Sequence, residues 1–228
     1  MMIRAIRNWL VPAMAFGVLA PVNVPRAQDM NPQKLGAVWT QWAYSIPTSV
    51  NPMVDPTGAN CMVGQHGSLW FLAGVYGGGA AIRQCSIPEN TSLFFPVING
   101  VQFNTPNVCG QGPLNLSVQD MRAWAAAGID AATNVFVTLD GKPLHNILRL
   151  QSDEFALTIP DDNFWVKPCK HYGGSPGGVY SPAVDDGLYM MLGPLPVGRH
   201  TLHMHAESGA FVQDVTYNLN VVAFIREH

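Results

Sequence analysis

The amino-acid sequence predicts a mainly β fold, an antiparallel β-sandwich or jelly-roll-like single domain with two peripheral helices. Charged residues make up only 12% of the 228 residues and hydrophobic residues 48%, so the chain has enough apolar surface to build a core. The 22 Gly and 18 Pro residues favour strands joined by turns. Segments such as 135–139, 155–159 and 211–222 alternate apolar and polar residues with the period of two that is typical of half-buried strands. We find no internal repeat and no linker that would separate a second domain.

Residues 1–27 are predicted to be a signal peptide. Arg4 and Arg7 precede an apolar run from Trp9 to Ala20. This run is shorter than the about 20 residues that a membrane-spanning helix needs, and it has the length of a signal-peptide core. We expect cleavage after Ala27, which leaves residues 28–228 as a secreted or periplasmic domain without a transmembrane span. An uncleaved N-terminal anchor is the alternative.

The charge of the mature chain argues against nucleic acid as a partner. Removal of residues 1–27 removes three arginines and leaves nine basic against 15 acidic side chains. Binding to phosphate groups or to an anionic membrane surface requires a basic face. We therefore expect no nucleic-acid partner.

The four cysteines, Cys61, Cys85, Cys109 and Cys169, predict two disulfides, because even numbers of cysteines in exported chains normally pair. Three pairings are possible, and we favour Cys61–Cys85 with Cys109–Cys169 since the first two are close in sequence. A zinc site is the alternative, but the chain contains no Cys-x-x-Cys pair.

Two segments have helical patterns. In Asn31–Ser45, apolar residues recur on one side of a helix, and Pro47 ends the pattern; this stripe consists of Leu35, Val38, Trp39, Trp42 and Ile46. The second helix is expected to begin after Ser117, which is a good N-cap, and to end at Gly128.

The remaining segments predict strands and turns. Strands are expected at Ser68–Val75, Thr91–Ile98, Val101–Asn104, Gly187–Leu192, His200–Ala206 and Phe211–Val222, in addition to the alternating segments 135–139 and 155–159. The dipeptides Asn99-Gly100 and Asp140-Gly141 predict tight hairpin turns, because both residue types tolerate positive φ. Residues 161–187 are expected to form mostly a loop.

A strand rich in histidine is the strongest candidate for a site. His203 and His205 are two residues apart, so on a strand they share one face, while His200 lies at the start of the strand and Glu207 follows it. Imidazole and carboxylate groups suit Zn or Cu, so these four residues are a candidate metal site. The alternative is a half-exposed strand whose imidazoles bond to neighbouring side chains.

Two other groups of residues are candidates for sites. Trp165, Tyr172 and Tyr180 fall in the predicted loop and would offer aromatic faces to a sugar ring, unless they cover the core beneath the loop. The carboxylate pairs Asp161-Asp162 and Asp185-Asp186 would suit acid–base catalysis or Ca²⁺, but residues of this kind most often stabilise turns.

Much of the mature sequence resembles an uncharacterised group of exported bacterial proteins. The resemblance is carried by Trp39-x-x-Trp42-x-x-Ser45-Ile46-Pro47, Asp55-x-Thr57-Gly58-x-x-Cys61, Gly67-x-x-Trp70-Phe71-Leu72-Ala73-Gly74, Phe94-Phe95-Pro96-x-Ile98-Asn99 and Leu195-Pro196-x-Gly198-x-His200-Thr201. It implies export and a single domain, and it implies no catalytic residue.

Two hypotheses for function follow from the sequence. The first is an exported cell-envelope protein that acts as a non-catalytic binding or structural domain, with a glycan or another envelope protein as its ligand through residues 161–187. The second is a secreted Zn- or Cu-dependent enzyme that uses the His-x-x-His-x-His strand.

Overall fold

The computed structural model describes residues 31–165 and 176–223, which form two helices and ten strands. The helices are α1 (Pro32–Ser45) and α2 (Val118–Asp130). The strands are β1 (Leu69–Phe71), β2 (Gly79–Pro88), β3 (Ser92–Phe103), β4 (Ala132–Leu139), β5 (Lys142–Leu144), β6 (Leu148–Gln151), β7 (Phe155–Ile159), β8 (Gly178–Leu192), β9 (Gly198–Ser208) and β10 (Phe211–Val222).

The strands form two sheets of five. The first sheet has the order β1-β3-β8-β6, with β7 also paired to β8, and the second has the order β2-β10-β9-β4-β5. The predicted class, a β-sandwich-like domain with two helices, is confirmed. Most pairs are antiparallel, as expected, but β1 pairs with β3 and β2 pairs with β10 in parallel, so both sheets are mixed.

The main core lies between the two sheets. Leu93, Phe95 and Met190 of the first sheet pack in one cluster with Met204 and Tyr217 of the second. Apolar and polar residues alternate along β9 and β10 because one face of the second sheet is buried in this core and the other faces outward.

The outer face of the first sheet is covered by α1. Trp39 and Trp42 pack in a second cluster with Phe94 and Tyr189. Gly36 allows this close approach, since an added Cβ would lie 3.2 Å from a carboxylate oxygen of Asp185. The sequence pattern predicted a helix over Asn31–Ser45, and α1 spans nearly the same residues.

The second helix, α2, packs against β3 and β8 through Met121, Ala125 and Ile129. Ser117 is its N-cap as predicted and accepts a hydrogen bond from the backbone N–H of Asp120. The expected end at Gly128 is wrong by two residues, because the helix continues to Asp130.

The hairpin predicted at Asn99-Gly100 is not formed. Both residues lie inside β3, where they pair with Gly187 and Asp186 of β8. Gly100 instead allows α2 to pack closely on β3, because an added Cβ at this position would lie 3.0 Å from the backbone oxygen of Ala125 in α2. At Asp140-Gly141 the prediction is confirmed, since both residues have positive φ and connect β4 to β5.

Several strands differ from the sequence prediction. The expected loop 161–187 ends early, because β8 already begins at Gly178 and contains Asp185 and Asp186 as buried residues. Strand β2 was not predicted, since glycines precede it and Arg83 and Gln84 interrupt its apolar pattern. The apolar run at 68–75 contributes only the three residues of β1.

The Cys61–Cys85 disulfide is present and connects the loop before β1 to β2. The pairing of Cys109 with Cys169 lies outside the described residues, as does the predicted signal peptide. Neither described helix is long and apolar enough to cross a membrane. The disulfide is compatible with an oxidising location.

Candidate functional site

Strand β9 places His203 and His205 on the outer face of the second sheet, as the sequence predicted. Leu202, Met204 and Ala206 alternate with them and are buried. His200 is three residues from His203, so its side chain lies on the opposite face of the strand and does not join the other two histidines.

The two histidines form a cluster with carboxylates from two strands. His203 Nε2 lies 2.6 Å from Asp214 Oδ1, and His205 Nε2 lies 3.1 Å from Glu207 Oε1. His205 Nδ1 is 3.8 Å from the other oxygen of Asp214, and the ring of Phe136 stacks on His205 at 5.1 Å. The hydrogen bond from His205 lowers the pKa of Glu207.

The sequence did not identify Asp214 as a member of this cluster, although it predicted both of the strands that form it. A hairpin centred on Gly209 pairs β9 with β10 and sets Asp214 opposite His205. The alternating pattern identified both segments as strands, but such a pattern alone does not specify which residues of two strands face each other.

This cluster does not favour the metal hypothesis. The Nε2 atom of His203 is directed at Asp214 and that of His205 at Glu207, whereas a metal site needs ligand atoms that converge on one point. Among residues 31–165 and 176–223, no group of three or more His, Cys, Asp or Glu side chains is arranged to hold a metal ion. The Zn or Cu site at His200, His203, His205 and Glu207 stays a prediction.

His200 instead fastens the β4–β5 turn to the start of β9. Its Nδ1 lies 2.8 Å from Asp140 Oδ2, and its Nε2 lies 2.9 Å from the backbone oxygen of Pro196. The hydrogen bond with Asp140, followed by that with Pro196, raises the pKa of His200. Both ring nitrogens face acceptors, so this environment stabilises the protonated imidazole.

The aromatic residues proposed for sugar stacking lie against the second core cluster. The Trp165 ring contacts Tyr44, Tyr76 and Phe103 at centroid distances of 5.6 to 6.3 Å. Tyr180 is only 9% exposed, and its hydroxyl donates to the backbone oxygen of Pro176. Tyr172 lies outside the described residues. In this arrangement the faces of Trp165 and Tyr180 contact protein.

The carboxylate pair on β8 is divided between two environments. Asp186 forms an ion pair with Arg149 at 2.9 Å. Asp185 is enclosed beneath α1 and accepts hydrogen bonds from Thr40, Asn99 and Tyr189. Burial raises the pKa of Asp185 to about 7, although these hydrogen bonds lower it.

A groove lies beside α1, which we call the α1 groove, and it has a volume of about 720 Å³. Its wall is largely apolar and comes from one side of α1, the segment 64–71 and the start of β7. The lining residues are Ala37, Val38, Gln41, Trp42, Ser45, Ile46, Gly64, His66, Gly67, Ser68, Leu69, Phe71, Phe155 and Ala156.

The apolar stripe that predicted α1 also supplies part of this groove. Val38 belongs to the apolar stripe of α1, yet it is 42% exposed and lines the groove. Gly64 has a φ of +68°, and an added Cβ would lie 2.9 Å from Trp42 Nε1. The absence of a side chain at this position therefore allows the 64–71 segment to pack against the helix.

Most polar groups of the groove wall already have partners. The Gln41 amide exchanges two hydrogen bonds with the backbone of Thr158, and Ser45 Oγ donates to the backbone oxygen of Trp42. The imidazole of His66 and the hydroxyl of Ser68 form no hydrogen bond within the described part of the chain. The groove therefore combines an apolar wall with two free polar groups.

Comparisons with protein-family models, with curated proteins and with solved structures found no match to this chain. The resemblance to exported bacterial proteins stays a prediction.

Proposed function

We propose that this chain is an exported, non-catalytic binding domain of the cell envelope, and that its ligand is a small amphipathic molecule held in the α1 groove. The observation that carries the proposal is the groove itself, with its apolar wall and the free imidazole of His66. The predicted signal peptide and the Cys61–Cys85 disulfide support the location.

The size and chemistry of the groove favour a small molecule with an apolar chain. Its volume of about 720 Å³ falls within the range of about 300 to 1,000 Å³ that is usual for small-molecule sites. Trp42, Phe71 and Phe155 offer aromatic surface, and each buried methylene of a ligand would contribute about 0.8 kcal/mol. A sugar, whose hydroxyls need polar partners, would leave most of this wall unused.

The polar end of the ligand is expected to be an acid. His66 is the one titratable side chain among the described residues that line the groove, and no carboxylate opposes it there. A carboxylate accepts a hydrogen bond from imidazole, and this bond strengthens when the ring is charged. A long-chain fatty acid has both the apolar chain and the acidic end.

The direct test is a titration of the mature chain with a long-chain fatty acid, followed by tryptophan fluorescence and calorimetry. Val38→Glu puts a charge on the groove wall without removing a buried side chain, and we expect it to weaken binding at least tenfold. Val222→Glu is the matched control, because Val222 is also 42% exposed and lies outside the groove. No saturable binding, or equal loss in both variants, would contradict the proposal.

The role of His66 is tested with two ligands. We expect His66→Leu to weaken binding of the fatty acid and to leave binding of the corresponding fatty alcohol nearly unchanged, because only the acid uses the imidazole as a partner. Equal effects on the two ligands would show that His66 does not recognise the polar end.

A further inference from the structure

A second depression, which we call the polar depression, lies on the outer face of the second sheet. Its volume is about 440 Å³, and it is lined by Gln84, Arg199, His200, Thr201, Asn218, Leu219 and Asn220. Strand register explains how it is built. Gln84 of β2 pairs with Asn218 of β10, and Asn218 pairs in turn with Thr201 of β9, so one row of polar side chains crosses three strands.

The next row continues the same chemistry. Asn220 of β10 pairs with Arg199 of β9, on the face that Asn218 and Thr201 also occupy. Within the described residues, the amides of Gln84, Asn218 and Asn220 and the guanidinium of Arg199 form no hydrogen bond or ion pair. These planar donors and acceptors are therefore available to a ligand.

Amides that have a structural role in this protein are engaged in hydrogen bonds. The Asn51 amide donates to two backbone oxygens and accepts from a third residue, and the Gln65 amide bonds both to Cys61 and to Phe71. The amides of the polar depression form no such intramolecular hydrogen bonds, so a structural role does not account for their presence.

The electrostatics of the polar depression favour an anion, although the chain as a whole is acidic. Arg199 is the only charged side chain in its lining apart from His200, and the latter is fixed by Asp140. Asp140 faces His200 and the backbone N–H of Thr201 and does not line the depression. Asp214 lies four residues from Asn218 along β10, about 13 Å away at the usual strand rise.

We propose that the polar depression binds an acidic saccharide, with Arg199 recognising the carboxylate of a uronic acid and the three amides recognising hydroxyls. Guanidinium groups bind carboxylates with two parallel hydrogen bonds, and amides both donate to and accept from hydroxyls. A single arginine does not provide the array of cations that a nucleic-acid backbone requires. The site is independent of the α1 groove, which lies on the other side of the sandwich.

The test is a titration of the mature chain with an oligomer of a uronic acid, measured by calorimetry. The matched ligand control is a neutral oligosaccharide of the same length. We expect saturable binding of the acidic oligomer, at least tenfold tighter than that of the neutral one. Equal binding of both sugars, or of neither, would overturn the proposal.

Two variants locate the binding. We expect Arg199→Gln to weaken binding about tenfold or more, whereas Lys34→Gln, which removes the same charge from the exposed surface of α1, should leave it unchanged. Asn218→Asp keeps the arginine but adds a repelling carboxylate, so it should also weaken binding. Wild-type affinity in Arg199→Gln would overturn the proposal.

Inorganic phosphate separates sugar recognition from general anion binding. We expect phosphate at the same concentration to compete weakly, because it uses Arg199 but not the row of amides. If phosphate binds as tightly as the acidic oligomer, the depression is an unspecific anion site and the proposal is wrong.

Discussion

At the scale of single residues, Arg83 and Asp185 are both buried ionisable side chains, but their surroundings differ. Arg83 is 1% exposed and donates to the backbone oxygens of Asp55 and Gly74 and to the hydroxyl of Tyr217. Asp185 is equally buried, but burial opposes its charge and its pKa lies near 7. The guanidinium of Arg83 finds acceptors for its N–H groups, whereas the environment of Asp185 favours the neutral acid at and below neutral pH.

Asp185 makes the stability of the fold dependent on pH. Its pKa is raised from the ordinary value of 3.8 to about 7, so between these values the folded chain holds a proton that the unfolded chain releases. The free energy of unfolding should therefore fall as the pH rises through this interval. Asp185→Asn cannot ionise, so this part of the pH dependence should disappear.

The measurement is urea unfolding of both proteins at several pH values between about pH 4 and pH 8. Wild type should lose stability relative to Asp185→Asn as the pH rises, while the exposed Asp153→Asn control should run parallel to wild type. Parallel curves for wild type and Asp185→Asn would show that Asp185 does not gain a proton on folding.

At the scale of elements, the start of α2 was easier to predict than the pairing of the strands. Ser117 was identified as the N-cap of α2 from sequence, because capping depends on residues within one turn. The Asn99-Gly100 hairpin was wrong because its outcome depends on β8 and α2, which lie far along the chain. A short sequence motif predicts a structure well only where residues close to it in the sequence determine that structure.

Ser117→Ala should destabilise the protein by about 1 kcal/mol, because it removes the acceptor for the backbone N–H of Asp120. Ser117→Thr retains the hydroxyl and should cost clearly less. Thermal unfolding of the two variants distinguishes these outcomes. Equal destabilisation by both substitutions would mean that the cap hydrogen bond contributes little.

At the scale of the whole molecule, the sequence predicted the fold class and the secondary structure better than it predicted the cavities. The sandwich, the two helices and the Cys61–Cys85 disulfide were predicted, since patterning and cysteine spacing carry this information. The α1 groove and the polar depression were not, because each is built from segments that come together only through tertiary packing.

The disulfide contributes at this scale because it ties the loop before β1 to β2. Its closed loop spans 24 residues of sequence separation, and a loop of this size corresponds to about 3 kcal/mol in the chain-entropy account. We expect the Cys61→Ala/Cys85→Ala double variant to lose stability by about this amount in urea unfolding. An unchanged unfolding midpoint would show that the bond adds little to the packed core.

The central claim, that the α1 groove is a binding site for an amphipathic acid, is tested most directly by backbone amide chemical-shift mapping. The mature chain would be titrated with a long-chain fatty acid while the NMR spectrum is followed. We predict saturable shifts confined to residues 37–46, 64–71 and 155–156, around the lining residues. An absence of saturable shifts, or shifts concentrated on the outer face of the second sheet, would contradict it.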